Sequence, residues 1–478
     1  MILAAAAVAA PPPLPAPSPP PSPGASPGGE QPLLHALAAE VSVERLQATD
    51  ARLVAFGTRH TLSDTASETR GIGAARRWVQ GEFKALSDAC GGCLVIDTPA
   101  QTFTGARIPT PTAVMDVLAI QRGTTDPDRV VVISAHIDSI NSNVLDAKTD
   151  APGANDDGSG TSAVLEAARL LSRRKFPATI VYAVLSGEEQ GLYGGKVLAD
   201  YAVAHDWRVE ADLNNDIIGN SHGLSGTVDN THVRVFSEGA RTNETPEQAR
   251  ARQGSGGELD SPSRNLARLL QTLADRYLAD LQVKMMYRPD RFHRGGDQME
   301  MLKQGYPAVR ITEAAENYTR QHQTIRVENG IHYGDLPDEV DFPYLAKVTR
   351  LNVIGLAALA SAPSPPTDVA LTGAVTADTT VRWSPAPGAS AYRVWWRDTT
   401  EPQWRYSRVV QAGAEAKLVG VNIDDWFFGV SSLSPDGWES PVVAPGPSGS
   451  FVRLAPTAPP APYTVSPPAP APAHPPGR

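Results

Sequence analysis

Between residues 31 and 362 the chain alternates short, wholly apolar runs with amphipathic ones. Val130-Val131-Val132-Ile133-Ser134-Ala135 is a β-branched run of the kind that is buried on both faces of a sheet. Apolar residues at helical spacing follow over 161–172, at Ala163, Val164, Ala167, Leu170 and Leu171. A second buried-strand run spans 178–185, and a third is Val309-Arg310-Ile311-Thr312. This alternation predicts an α/β domain over 31–362, a three-layer sandwich around a mostly parallel mixed sheet. Ligands of such sheets sit beyond the carboxyl ends of the strands, which is where chemistry is expected. After Ala362-Pro363-Ser364-Pro365-Pro366 the texture changes. Short alternating strands at 380–383, 392–396 and 426–430, parted by Pro, Gly and Asp turns, predict an all-β sandwich over 363–455.

The ends are different again. Residues 11–30 and 456–478 are rich in Pro, with Ser and Gly or Ala, and are expected to be linker and disordered tail. Residues 1–10 are short, apolar and rich in Ala, with an Ala-x-Ala site at Ala7-Val8-Ala9, like the end of a secretory signal. A charged leader is missing, because the first basic residue is Arg45. Export, to the outside or the periplasm, is the expectation. The only cysteines are Cys90 and Cys93, between a helix-like segment (74–86) and a strand-like one (94–97). No further ligands for a structural zinc lie nearby, so a small disulfide closing a turn is expected.

Composition narrows the function classes. Of 478 residues, 41% are hydrophobic and 20% charged, a globular balance, and the net charge is −10. No basic face for phosphates is indicated, so a nucleic-acid partner is not expected. Nor does any run of about 18 apolar residues occur, so no transmembrane segment is expected.

Candidate chemistry sits at the predicted strand ends. The run 130–135 leads into His136-Ile137-Asp138, an imidazole with a carboxylate placed to orient it. Alone, such a triplet marks a structural histidine more often than a ligand. Gly153-Ala154-Asn155-Asp156-Asp157-Gly158-Ser159-Gly160 precedes the helix. Its acids suit a helix cap, or a carboxylate, Asp156, bridging two cations while the glycines let backbone crowd the site. The run 178–185 ends in Ser186-Gly187-Glu188-Glu189. Adjacent acids are ordinarily a solvated pair; beside metal they divide, Glu189 ligating and Glu188 serving as general base. Asp216 follows an apolar run, where a charge is costly unless paired or coordinated. His322 supplies a second imidazole in a polar, turn-like segment. Together the residues match a two-metal hydrolase, and nitrogen and carboxylate ligands without cysteine suit zinc.

These five elements, in this order, resemble the co-catalytic zinc aminopeptidases of the bacterial leucyl aminopeptidase type, the twenty-eighth metallopeptidase family. The resemblance covers roughly 35–360. It implies the zinc exopeptidase fold and two Zn2+ per chain. His136 and Asp216 would hold the first ion, Glu189 and His322 the second, and Asp156 would bridge them. It further implies that Glu188 shuttles the proton, that Asp138 orients His136, and that the substrate is a peptide or protein N-terminus. One departure stands out. Where family members often carry Ser-Asp-His, this chain has Gly295-Gly296-Asp297-Gln298. Gln298 cannot replace an imidazole, while Asp297 keeps a supporting role open. Arg310 and Tyr318 are candidates for contact with substrate, weighed equally against a surface arginine and a packing tyrosine. His293 and His332 fall outside the motifs. The C-terminal segment resembles a fibronectin type III module, with Trp383 as core tryptophan and Tyr392 opposite it. Contact with a surface or polymeric ligand, or a spacer role, is its expected use.

Three alternatives share parts of this pattern. Zinc carboxypeptidases and acyl-amino-acid amidohydrolases use similar ligands but insert a lid domain before the last histidine, for which the segment from Asp216 to His322 is too short. Glutaminyl cyclases of related fold use one zinc. An inactive homologue acting as a binding protein would have lost a ligand or the base, and none is lost here.

Overall fold

A computed structural model describes residues 29–454, Ala412 excepted. The Ala7-Val8-Ala9 site, nearly all of the N-terminal Pro-rich stretch and the tail from 456 lie outside the described residues. The first ten strands are β1 Leu94–Asp97, β2 Ala100–Gly105, β3 Ile108–Met115, β4 Val117–Gln121, β5 Asp126–His136, β6 Ala178–Leu185, β7 Arg208–Asn215, β8 His232–Phe236, β9 Gln282–Met286 and β10 Ala308–Glu313. Eight of them build one mixed sheet in the order β1-β4-β6-β5-β7-β10-β8-β9. Its centre, β6-β5-β7-β10, is parallel throughout. β4 joins β6, and β8 joins β10, antiparallel. The β2–β3 hairpin stands apart from this sheet.

The side-chain period of two divides β5 between two cores. Val131, Ile133 and Ala135 enter one apolar cluster, and Val130 and Val132 enter the other. Every residue of β6 is buried. Both faces are therefore covered, as a parallel sheet requires. The larger cluster is roofed by α1 Pro32–Ala39, α2 Val43–Val54, α3 Gly71–Ala89 and α4 Gly160–Leu171. On the opposite face, next to the short α5 Glu188–Gly191, lies α6 Tyr193–Ala204. The remaining helices are α7 Pro246–Ser255, α8 Pro262–Tyr277, α9 Gln298–Lys303 and α10 Phe342–Ser361. α8 and α10 complete the first layer and α9 the second. The expected three layers are present.

Between Asp216 and His322 the strands β8, β9 and β10 all join the main sheet. The segment builds the core and inserts no separate lid layer among the described residues. Cys90 and Cys93 form a disulfide where α3 gives way to β1, the expected place. No helix among the described residues is long and apolar enough to cross a membrane.

A small hairpin, β11 Arg326–Glu328 with β12 Ile331–Tyr333, follows His322. Beyond α10 come β13 Thr367–Thr372, β14 Thr379–Ser384, β15 Ala391–Asp398, β16 Tyr406–Gln411, β17 Glu415–Leu418 and β18 Trp426–Leu433. They form two three-stranded sheets, β13-β14-β17 and β16-β15-β18, around a shared apolar cluster. Trp383 and Tyr392 lie in that cluster with ring centroids 5.3 Å apart. The sheets are fastened to α8. Asp260 Oδ1 accepts from Arg268 Nη1 and from Arg397 Nη2, each at 2.7 Å, and Trp404 Nε1 donates to Asn265 at 3.1 Å.

Candidate metal centre

Four parallel strands end side by side, and each delivers part of the site. β5 ends on His136, β6 runs into Glu188-Glu189, β7 stops one residue short of Asp216, and β10 leads to the loop that carries His322. Asp156 comes from the turn ahead of α4. His136 Nε2 lies 3.2 Å from Asp156 Oδ1 and 3.9 Å from Asp216 Oδ2. His322 Nε2 lies 3.0 Å from Asp156 Oδ2 and 3.1 Å from Glu189 Oε2. Asp156 thus turns one oxygen towards each imidazole. Ligand-capable atoms of His136, Glu188 and Asp216 all fall within 4.8 Å of one another, as do those of Asp156, Glu189 and His322. The sequence-derived set is gathered into two adjoining groups.

The donor chemistry fits cations. His136 Nε2 and Glu189 Oε1 are buried without a hydrogen-bond partner, a costly state for polar atoms unless something else binds them. Imidazole nitrogen and carboxylate oxygen, with no thiolate, is a zinc-type set. Charge points the same way. Burial, outweighing the attraction of His136, with repulsion from Asp216, Glu189 and Asp156, pushes the Glu188 carboxyl up to about 8. Burial works against charging His136, yet the neighbouring carboxylates, Asp138 and Asp156 foremost, carry its pKa well above the usual imidazole range. The cluster holds more negative charge than its histidines balance.

Local structure explains how so many acids are brought together. Asp157 Oδ2 accepts the His136 amide at 3.1 Å, and its Oδ1 accepts those of Gly160 and Ile217 at 2.9 and 3.3 Å. Asp335 accepts the amides of Asn155 and Asp156 at 2.8 and 2.7 Å. Asn155 in turn donates to Glu313 at 2.8 Å and accepts the Gly219 amide at 2.8 Å. A Cβ on Gly160 would stand 2.5 Å from Asp157 Oδ2, so glycine is needed for this approach, as expected from its run. Ile217 and His322, each beside or within the cluster, hold φ of 50° and 54°, a left-handed backbone that is costly above all for the β-branched Ile217.

Asp138, expected to orient His136, meets it through both main chain and side chain. The His136 Nδ1 lies nearer its backbone oxygen (3.0 Å) than its carboxylate (3.6 Å). The carboxylate also accepts the amides of Glu188 and Glu189 and the Thr61 hydroxyl. Asp297 accepts the Gly195 amide at 2.9 Å, pinning α9 to α6, and Gln298 donates to Asp290 at 2.7 Å. Arg310 is not a surface residue: it is fully buried and reaches Asp216 at 2.7 Å. Tyr318 is 55% exposed, and His293 and His332 lie at the surface. Asp157, Asp335 and Glu313 were not singled out in the sequence. The available signal was a carboxylate at or near a buried strand end, which for Glu313 was legible.

Comparison with known proteins agrees with this geometry. Residues 116–333 match the model of peptidase family M28. A probable zinc metalloprotease of Leptosphaeria maculans is 40% identical over 87% of this chain and 97% of its own length. A second, from Pyricularia oryzae, is 40% identical over 87% of this chain and 84% of its own. The chain belongs to peptidase family M28. It is a metallopeptidase, and all seven sequence-derived site residues fall inside the M28 interval. The M28 match ends ahead of β13, leaving the two small sheets outside it. Among solved structures, Legionella pneumophila LapA superposes with a TM-score of 0.50 at 20% identity, covering 69% of this chain and 76% of that one, a likeness of fold.

Proposed function

We propose that this M28 metallopeptidase is a di-zinc aminopeptidase, removing residues from the N-termini of peptides. One observation carries the two-ion part: Asp156 offers one oxygen to each of two imidazoles, at 3.2 and 3.0 Å, between two separate ligand groups. His136 and Asp216 would hold one ion, Glu189 and His322 the other, and Asp156 both. Bound zinc supplies Lewis acidity towards the scissile carbonyl and acidifies water. Glu188 is the proton carrier, taking a proton from the attacking water and returning it to the leaving amine. Its turn is held by the Asp138 carboxylate, which accepts the Glu188 and Glu189 amides, so the backbone that carries the base cannot shift without breaking two hydrogen bonds. The aminopeptidase part draws support from the motif resemblance and from the uninterrupted core between Asp216 and His322. The disulfide supports an oxidising compartment, outside the cell or in the periplasm.

A panel of free-amine, N-blocked and C-blocked peptides tests the exopeptidase direction. Cleavage of the free-amine and C-blocked members alone is expected. Hydrolysis confined to N-blocked members would transfer the protein to the acyl-amino-acid amidohydrolases. Metal analysis of the pure protein is expected to return two zinc per chain.

A further inference from the structure

Arg310 lies mid-strand in β10 and is fully buried. Its Nη1 stands 2.7 Å from Asp216 Oδ2, 3.0 Å from the Gly295 carbonyl and 3.5 Å from Asp290 Oδ2. Asp290 is itself held, by Gln298 Nε2 at 2.7 Å and by Arg291 Nε at 3.2 Å. Arg291 continues to Glu316 at 3.4 Å, and Glu316 pairs with Arg234 at 2.5 Å. An arm of alternating charge therefore runs from Asp216 outwards through Arg310, Asp290, Arg291 and Glu316.

The arm has a built-in clearance. A Cβ on Gly296 would lie 2.5 Å from Arg310 Nη1 and 2.5 Å from Gln298 Oε1, so any side chain at 296 displaces the tip of Arg310 or of Gln298. A fully buried arginine is expensive, and an apolar side chain of similar size would fill the strand at less cost. Among the described residues, Asp216 is the one acid of Asp156, Glu189 and Asp216 to be gripped by a guanidinium. Two effects on a cation at Asp216 oppose each other. A positive charge nearby repels it, whereas a carboxylate held in place binds it better. Asp290 beside the guanidinium offsets much of that charge, which leaves orientation as the net effect.

We propose that Arg310 is a positioning residue for the metal centre: it fixes the Asp216 carboxylate, so that its loss weakens one of the two cation sites and spares the other. The Asp297-Gln298 departure from the family pattern takes its meaning here, since Gln298 holds the Asp290 that backs Arg310. The inference rests on the two-ion reading above.

The test uses the full chain, metal-free, titrated with zinc against a competing chelator, in wild type, Arg310→Met, Arg310→Lys and Gly296→Ala. Cobalt-loaded samples are read by visible absorption. Fewer than two equivalents in wild type would remove the two-ion reading itself, whatever the variants do. Given two, Arg310→Met is expected to weaken one binding constant by roughly 10- to 100-fold, as loss of a partner to a metal ligand does. The other constant stays put, and one of the two cobalt contributions changes. Gly296→Ala, which keeps the arginine but displaces its tip or that of Gln298, should reproduce the effect, and it carries the test if Arg310→Met does not fold. Arg310→Lys, with charge but no planar fork, should recover affinity in part. Unchanged constants in Arg310→Met and Gly296→Ala, or equal weakening of both sites, would overturn the proposal.

Discussion

His136 Nδ1 lies 3.0 Å from the main-chain oxygen of Asp138 and 3.6 Å from its carboxylate, so the backbone, more than the acid, orients this imidazole. The carboxylate is spent on the amides of Glu188 and Glu189. Asp138→Asn keeps the main-chain contact and an acceptor for one amide. Its kcat is expected to fall by about 10- to 100-fold while zinc content stays near that of wild type. Metal analysis beside steady-state kinetics checks this; zinc lost in step with activity would return the carboxylate to the service of His136.

Glu188→Gln removes the proton carrier and preserves the shape of its turn. A fall in kcat of about 100- to 10,000-fold is expected, with zinc stoichiometry and KM little altered. Substantial residual turnover in a zinc-replete sample would assign the proton transfer to another group.

Asp212 offers a pH-dependent stability that is independent of catalysis. It lies buried in β7, with Ser134 Oγ donating to it at 2.7 Å, and burial raises its carboxyl from 3.8 to about 7, against the lowering effect of Ser134. The folded form therefore keeps a proton that the unfolded chain releases near pH 4. Stability from this group is complete below that pH, is lost as pH rises to about 7, and is flat above. Asp212→Asn cannot ionise. It should match wild type near pH 4 and exceed it at pH 8, by at most roughly 4 kcal/mol for a shift of about three units. Denaturant unfolding of the pair at the two pH values measures the difference.

The small sheets are expected to unfold with the peptidase body. Asp260 is shared by two buried arginines, Arg268 of α8 and Arg397 of β15. Asp260→Ala strands both guanidinium groups, at a cost of about 3–5 kcal/mol. Most tryptophans lie beyond residue 380, so their fluorescence reports on the sheets and activity on the body. Coincident thermal transitions in wild type, both shifted down in the variant, are the expected outcome. A shift of the fluorescence transition alone would make the sheets an independent unit.

The strands β5 and β6 were legible because their residues are buried on both faces and spell continuous apolar runs. His136, Glu189 and Asp216 were legible because each sits at or just past the end of such a run, whereas Asp156 and His322 stood out only by their place in the ordered set. α10 was not, since nearly every residue from Tyr344 to Ala360 is buried and no polar stripe marks it as a helix. Nor could spacing reveal Asp335, whose partners Asn155 and Asp156 lie far away in sequence. Arg310 showed only as a charge inside an apolar strand. That pattern says a partner exists without saying which. Nor does a His-x-Asp spacing tell a carboxylate contact from a main-chain one, and at Asp138 both oxygens lie near His136 Nδ1.

Asp157 has one further consequence. By fastening the amides of His136, Gly160 and Ile217, a single carboxylate bolts together three chain segments that flank the ligands, with no cation involved. The centre is then a socket cut before the plug arrives. Zinc uptake by the stripped protein should resemble docking into a rigid host, leaving far-ultraviolet circular dichroism unchanged, in contrast to small zinc domains that fold only around their metal.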